Sequence, residues 1–103
     1  MNTKLIKKIP VEHVIQLKTI DLLSYLKQYE PNSIIKNKSH YDSITHNGLI
    51  IYKNRWAWKS HHLNGKTAIQ YLVFVEEMDY IDALYLLYQC YRKELNNGKK
   101  IHQ

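Results

Sequence analysis

The sequence contains little cysteine, proline or glycine: one cysteine, two prolines and three glycines occur in 103 residues. The single cysteine, Cys90, excludes an intramolecular disulfide framework and a cysteine-rich zinc finger. Its position between Tyr88 and Tyr91 indicates a small buried hydrophobe rather than a nucleophile. Hydrophobic residues make up 45% of the chain, which is typical of a globular protein of one domain. We expect that domain to cover residues 1–95 and a flexible polar tail to cover 96–103.

Long apolar runs are absent as well. No stretch approaches the roughly 18 apolar residues that a membrane-spanning helix requires. The apolar part of the N-terminal segment 1–8 is too short for a signal peptide. We therefore expect a soluble, cytoplasmic protein that does not associate with a membrane.

Acidic residues are scarce in the middle third of the chain. The whole sequence carries a net charge of +6, and residues 36–66 hold six Lys or Arg against Asp42 alone. By the same count, residues 1–35 carry a net +2 and residues 67–103 a net −1. A positive field concentrated in this way attracts polyanions such as nucleic acid. A solvated basic face that serves solubility is the alternative.

Apolar residues at helical spacing, each run preceded by proline or a capping residue, predict four helices. The predicted starts are Pro10, Asp21, Thr67 and Asp79, and either Thr19 or Asp21 can cap the second helix. Thr67 with Gln70 has the form of a capping box. Since the first two helices precede the middle third and the last two follow it, the helices flank whatever that segment forms.

The middle third is rich in β-branched and aromatic residues, which predicts two or three short strands. Asn47-Gly48 and Lys53-Asn54 are the expected turns between them. Strands this short must pack on helices to be stable. The sequence therefore predicts an α+β fold with two N-terminal helices, a small antiparallel sheet or hairpin, and two C-terminal helices.

The tract at 53–62, Lys-Asn-Arg-Trp-Ala-Trp-Lys-Ser-His-His, is the most informative segment. In an extended strand, Arg55 and Lys59 share one face, while Trp56 and Trp58 share the other. The two tryptophans then either enter the core or stay exposed and stack on bases. The cations are expected to contact nucleic acid.

Gly65-Lys66-Thr67 stands where a strand passes into a helix, as in a phosphate-binding P-loop. The full motif needs a further glycine where this chain has Ser60, so an ATP or GTP site is not expected. One phosphate held by Lys66 and the backbone amides of Thr67 and Ala68 is the more modest expectation.

Three histidines, His46, His61 and His62, are candidate metal ligands, but no thiolate supports them. Ser43 lies close to His46 without a third partner, so no catalytic constellation is recognisable. We expect no enzymatic activity, no metal and no cofactor.

Six short segments follow one another in a recognisable order over about residues 20 to 88. They are Ile20-Asp21-Leu22-Leu23-Ser24-Tyr25-Leu26, Asp42-Ser43, Asn54-Arg55-Trp56, Asn64-Gly65, Ala68-Ile69-Gln70-Tyr71-Leu72 and Tyr80-Ile81-Asp82-Ala83-Leu84. This series resembles the N-terminal zinc-binding domain of bacterial DNA primases. It is more similar still to metal-free relatives of that domain that occur beside Toprim modules on Gram-positive plasmids and integrated elements.

The resemblance also implies how this chain departs from a zinc-binding domain. Ser43, His46, Lys59 and His62 align with the four zinc ligands, and only the two histidines among them could bind the metal. The usual double glycine, which the resemblance places in a turn after the tryptophan strand, is reduced here to Asn64-Gly65. No Toprim or polymerase module follows, so the resemblance implies DNA contact through the sheet and the next turn rather than primer synthesis.

From charge and resemblance together we expect a DNA-binding accessory protein that serves replication or conjugative transfer of a plasmid or mobile element. The expected fold is primase zinc-ribbon-like, or winged-helix-like with the hairpin 49–58 as the wing. The winged-helix form would favour recognition of duplex DNA, as by a relaxosome component. Expected partners are single- or double-stranded DNA and a replication or relaxase protein, and a weak homodimer is left open. The predicted DNA-binding residues are Lys36, Lys38, His40, Tyr41, Lys53, Asn54, Arg55, Trp58, Lys59, His61, His62, Asn64, Lys66 and Thr67.

A protein-interaction adaptor is the alternative function. The last predicted helix carries several tyrosines that would supply an aromatic interface, and the basic hairpin would meet an acidic partner. These tyrosines are Tyr80, Tyr85, Tyr88 and Tyr91.

Overall fold

Two short helices begin the part of the chain that the computed structural model describes, residues 9–96. Helix α1 (Val11–Leu17) follows Pro10, which suits a helix start because proline has no N–H to leave unpaired. Helix α2 (Leu22–Tyr29) follows Asp21, whose carboxylate accepts a hydrogen bond from the Ser24 backbone N–H at 2.9 Å. Both helices were predicted, and both are confirmed.

The middle third forms one antiparallel sheet in which each strand pairs with the next along the chain. Its five strands are β1 (Ile34–Asn37), β2 (His40–Ser43), β3 (Ile50–Ile51), β4 (Trp56–Trp58) and β5 (Leu63–Gly65). The prediction of two or three strands was too low, because strands of two to four residues are too short to show a clear alternation. The predicted turn at Lys53-Asn54 is confirmed, since the Tyr52 N–H donates to the Arg55 carbonyl across it at 2.7 Å.

The tract at 53–62 was expected to form one extended strand, but it does not. Strand β4 ends at Trp58 and a 3-10 turn follows at Lys59–His61. His62 then adopts a left-handed backbone conformation (φ +55°), which turns the chain back into β5. Asn64 and Gly65 were expected in a turn, but they pair with Ala57 and Trp56 as part of this edge strand.

Two helices complete the described chain, in agreement with the predicted order. Helix α3 (Ala68–Phe74) begins at Thr67 with the predicted capping box, in which the Thr67 hydroxyl accepts from the Gln70 N–H. Helix α4 (Tyr80–Asn96) extends one residue into the predicted tail, and Leu95 is buried. The rest of that tail, 97–103, lies outside the described residues.

The helices cover one face of the sheet. Ile51 and Trp56 project to this face and are fully buried among Leu17, Ile20, Leu26 and other helix residues. The opposite face carries a row of paired residues, none of which is buried. In strand order this row is Ile35, Asp42, Ile50, Ala57 and Asn64. We call this side the outward face. No helix within residues 9–96 combines the length and apolarity that crossing a membrane requires.

Candidate nucleic-acid interface

Two cations of the tract at 53–62, Arg55 and Lys59, lie together at the β4–β5 edge of the outward face. Arg55, Lys59, His62 and Asn64 line one open cavity of about 590 Å³. Arg55 and Asn64 also line a neighbouring cavity of about 320 Å³, together with Lys66. The structure therefore gathers five of the predicted DNA-binding residues in one place. We call these five the cationic edge.

The strand register explains this gathering. Arg55 immediately precedes β4 and Asn64 lies in β5, opposite Ala57, so the alternation of strand side chains sends both to the outward face. Lys59 and His62 begin and follow the 3-10 turn that joins these strands. A turn between two strands brings residues from both of its ends to one edge, although they are separated in the sequence.

A row of ring systems continues from the cationic edge across the outward face. The Arg55 guanidinium carbon lies 4.0 Å from the centre of the Tyr52 ring, and the His40 ring centre lies 5.9 Å from that of Tyr52. His40 is among the predicted DNA-binding residues, whereas Tyr52 was not predicted. The signal was available, because residues on either side of a two-residue hairpin turn, here Tyr52 and Arg55, face the same side of a sheet.

Two further exposed cations, Lys38 and Lys53, stand at hairpin turns. Lys53 and Asn54 form the β3–β4 turn beside Arg55 and are exposed. Lys38 is in the β1–β2 turn with a left-handed backbone (φ +58°), a conformation that glycine adopts more easily. These side chains extend the positive surface beyond the cationic edge.

Asp42, the one acid in residues 36–66, is engaged by its neighbours. The Asn37 side-chain amide donates to one Asp42 oxygen at 2.8 Å, and His40 Nε2 lies 3.3 Å from the other. Of these two contacts, the one from Asn37 is a hydrogen bond, whereas the one with His40 is an approach within salt-bridge distance. The negative charge on the outward face is therefore partly satisfied within the protein.

Lys36 and Tyr41 lie on the other side of the sheet. They pair with each other, and Tyr41 pairs with the buried Ile51, so all three project toward the helices. The ammonium groups of Lys27 and Lys36 lie 5.5 Å and 5.2 Å from the centre of the half-buried Tyr41 ring. Tyr41, which was predicted to bind DNA, therefore does not share a face with the cationic edge, and two lysines of the protein already lie near its ring.

Trp58 is not an open stacking platform either. It shares the helix-covered face with the fully buried Trp56, and its indole N–H donates to the Asn47 carbonyl at 2.9 Å. His61 stacks on the Trp58 ring with ring centres 3.6 Å apart. The sequence left open whether the two tryptophans enter the core or stack on bases. Both project toward the helices, and His61 covers Trp58, which is the more exposed of the two.

The backbone amides that were predicted to hold a phosphate at the start of α3 already have partners within the protein. The backbone N–H groups of Lys66 and Thr67 donate to Gln70 Oε1 at 2.7 Å and 3.1 Å, and the Ala68 N–H donates to the Ile20 carbonyl at 2.8 Å. The predicted phosphate site at Thr67 and Ala68 is therefore wrong. Thr67 forms the capping box. Of the Gly65-Lys66-Thr67 segment, the Lys66 side chain alone points to the interface.

His46 belongs to a separate cluster with Glu76 and Tyr71. His46 Nε2 and the Tyr71 hydroxyl both donate to Glu76 Oε2, at 3.0 Å and 2.7 Å. Burial raises the pKa of the Glu76 carboxyl, but these hydrogen bonds outweigh burial and leave the pKa below its ordinary value. Ser43 Oγ accepts from the His46 backbone N–H. Among residues 9–96, no group of three or more His, Cys, Asp or Glu is placed to hold a metal ion.

The tyrosines of α4 do not form one exposed surface. Tyr91 is only 2% exposed and packs edge-on against Tyr29, with ring centres 5.3 Å apart. Tyr85 and Tyr88 are half-buried, and Tyr80 at the start of the helix is exposed. The predicted aromatic interface therefore loses Tyr91 to the core, because the helical period places Tyr91 beside Leu84 and Leu87 on the buried side.

No family model, curated protein or solved structure matches the chain. Its function is therefore inferred from the chemistry of the outward face. Guanidinium and ammonium groups pair with phosphate, while asparagine and histidine side chains donate hydrogen bonds to phosphate, sugar or base edges.

Proposed function

We propose that this chain is a DNA-binding accessory protein that contacts the sugar-phosphate backbone through the cationic edge of its sheet. The observation that carries the proposal is the shared cavity of Arg55, Lys59, His62 and Asn64. Arginine matches a phosphate with two parallel hydrogen bonds, and lysine adds a mobile point charge. Such a mixture of cations and neutral donors suits a nucleic-acid backbone better than a small carboxylate ligand.

The shape of the sheet favours backbone contact over insertion into a groove. Five strands spaced about 4.8 Å apart span about 19 Å, which exceeds the roughly 12 Å width of the major groove. The sheet therefore binds either along the phosphates of a duplex or along an unpaired strand. Tyr52 and His40 beside the cationic edge would meet bases in the second case.

The resemblance to primase zinc-binding domains supports a cellular role for this activity. We propose that the protein acts in the cytoplasm, in replication or conjugative transfer of a plasmid or mobile element. A replication enzyme or a relaxase would supply the catalysis, since the site described above is built for binding.

Fluorescence anisotropy with labelled single- and double-stranded oligonucleotides, at about 50 and 200 mM salt, tests the proposal. Lys53, Arg55, Lys59 and Lys66 together would release about three counterions, because each neutralised phosphate contributes about 0.7 to 0.9 to the slope of log Kd against log salt. A slope near zero on both substrates would contradict backbone binding.

The decisive variant is Arg55→Gln, Lys59→Gln, Lys66→Gln. It should weaken binding strongly and reduce the salt slope by about 2, because three phosphate contacts are removed. A matched control, Lys18→Gln, Arg92→Gln, Lys93→Gln, removes the same charge from exposed positions on or beside helices. If both triple variants lose affinity equally, bulk charge rather than the cationic edge binds DNA.

A further inference from the structure

An apolar groove on the helical side of the molecule has no part in the DNA site. It has a volume of about 370 Å³ and lies between the end of α1, one side of α3 and the start of α4. Its apolar lining is Ile69, Val73, Phe74 and Tyr80, and Lys18, Thr67 and Gln70 complete it. None of the five residues of the cationic edge lines this groove.

The mouth of the groove exposes large apolar side chains. Phe74 is 48% and Tyr80 is 42% exposed, and the neighbouring Ile81 is 49% exposed. Exposed apolar residues scattered singly need no explanation, but Phe74 and Tyr80 line the same groove, which marks it as a candidate binding surface. A groove of this volume is at the small end of ligand sites, so it suits a few inserted side chains.

The charge around the groove is opposite to that of the sheet. Residues 74–82 carry four acids and no base, whereas residues 36–66 are strongly basic. Glu77 and Asp79 are exposed and lie in the short link between Phe74 and Tyr80, which both line the groove, so these two acids stand beside it and form what we call its acidic rim, although neither lines it. Lys18 is the one charged residue in the groove's lining. A rim of carboxylates repels phosphate, so nucleic acid is not the occupant.

We propose that this groove docks an amphipathic segment of a partner protein whose polar side carries Lys or Arg. The segment would insert apolar side chains between α3 and the start of α4, and its cations would face Glu77 and Asp79. This is the helix-in-groove mode of peptide recognition, with electrostatic complementarity setting which segment is accepted. The protein then has two separate surfaces: a basic one for DNA and an acidic, apolar one for a basic protein segment.

Selection from a displayed library of random peptides, about 16 residues long to allow roughly four helical turns, tests the proposal on the whole chain. The selected peptides should be enriched in Lys or Arg, with large apolar residues three or four positions apart. A synthetic version should bind Phe74→Ser about tenfold more weakly or worse, because an anchor pocket is lost. Ile44→Ser is the matched control, since Ile44 is 59% exposed in the β2–β3 loop, and it should bind normally.

A second variant, Glu77→Gln with Asp79→Asn, tests the charge on the rim while keeping the side-chain sizes. It should weaken the peptide most at low salt. Far-ultraviolet circular dichroism and thermal melting confirm that every variant is folded. The variant with Arg55, Lys59 and Lys66 replaced should still bind the peptide, which separates this proposal from the one on DNA.

Five outcomes would overturn the proposal. The selection may yield no binder, or binders without an excess of Lys or Arg. The synthetic peptide may bind Phe74→Ser as well as the unchanged chain, or it may be displaced by an oligonucleotide. Sedimentation velocity tests the last outcome. A dimer that Phe74→Ser dissociates would show that a second copy of this chain occupies the groove.

Discussion

Gly65 is the position where a single methyl group should cost the most. Gly65 lies in the edge strand β5 opposite Trp56, whose side chain is fully buried. A Cβ atom added at Gly65 would lie 2.6 Å from Trp56 Cζ2, 2.8 Å from Trp56 Cε2 and 2.9 Å from Gln70 Oε1. Real Cβ atoms essentially never approach other atoms closer than 3.0 Å, so at least one neighbour must move.

Neither neighbour can move freely. The Trp56 ring is enclosed by the core and its N–H donates to the Thr67 carbonyl at 3.2 Å. Gln70 Oε1 accepts from two backbone N–H groups in the capping box. Overpacking a core costs about 1–3 kcal/mol. Disturbing the cap adds about 1 kcal/mol, so Gly65→Ala should destabilise the protein by about 2–4 kcal/mol in total.

Urea denaturation followed by tryptophan fluorescence measures this loss, and Asn64→Ala in the same strand is the control. Asn64 is exposed, so its replacement should change stability by less than about 0.5 kcal/mol. In the Trp56→Phe background, followed by circular dichroism, the indole is absent. There the cost of Gly65→Ala should fall by at least about 1 kcal/mol. An equal cost in both backgrounds, or a cost below about 0.5 kcal/mol in the first, would refute the close-contact explanation.

Three further changes test other parts of the fold. The Tyr91 hydroxyl is buried without a hydrogen-bond partner among the described residues, so Tyr91→Phe should leave stability unchanged or raise it by up to about 1 kcal/mol in thermal denaturation. Thr67→Ala should cost about 1 kcal/mol in the same assay because the α3 cap is lost, and no loss would argue against the capping box. The lowered pKa of Glu76 stabilises the fold above the unfolded-state pKa, and this contribution is lost as the pH falls through the folded value. The stability advantage of the unchanged chain over Glu76→Gln should therefore shrink between about pH 5 and 3, and a pH-independent difference would contradict the His46 and Tyr71 contacts.

The helices were predictable because their signals are local. Pro10, Asp21 and the Thr67–Gln70 pair each act within one turn of the helix that they begin, and the structure places helix starts at all of them. The sheet was less predictable. Strands of two to four residues carry almost no periodicity, so β5 was mistaken for a turn and its glycine for a turn residue.

The candidate site was likewise predictable in part: its composition could be predicted from the sequence, but its arrangement could not. The excess of cations in residues 36–66 is a property of composition, and it needed no structure. Which of them act together depends on the register of the strands, because a shift by one residue moves a side chain to the other face of a sheet. That register sends Arg55 and Asn64 outward and sends Lys36, Tyr41 and Trp58 toward the helices.

The sequence by itself determined the fold class, the order of the elements and the sign of the charge in each third of the chain. These features follow from composition and from the spacing of residues that are close together in the chain. The tertiary structure alone decided that the cations form an edge beside Tyr52 and that Gln70 occupies the amides of the P-loop-like segment. It also placed an acidic, apolar groove away from the basic face. Such features depend on contacts between residues far apart in the chain, and no local pattern records those contacts.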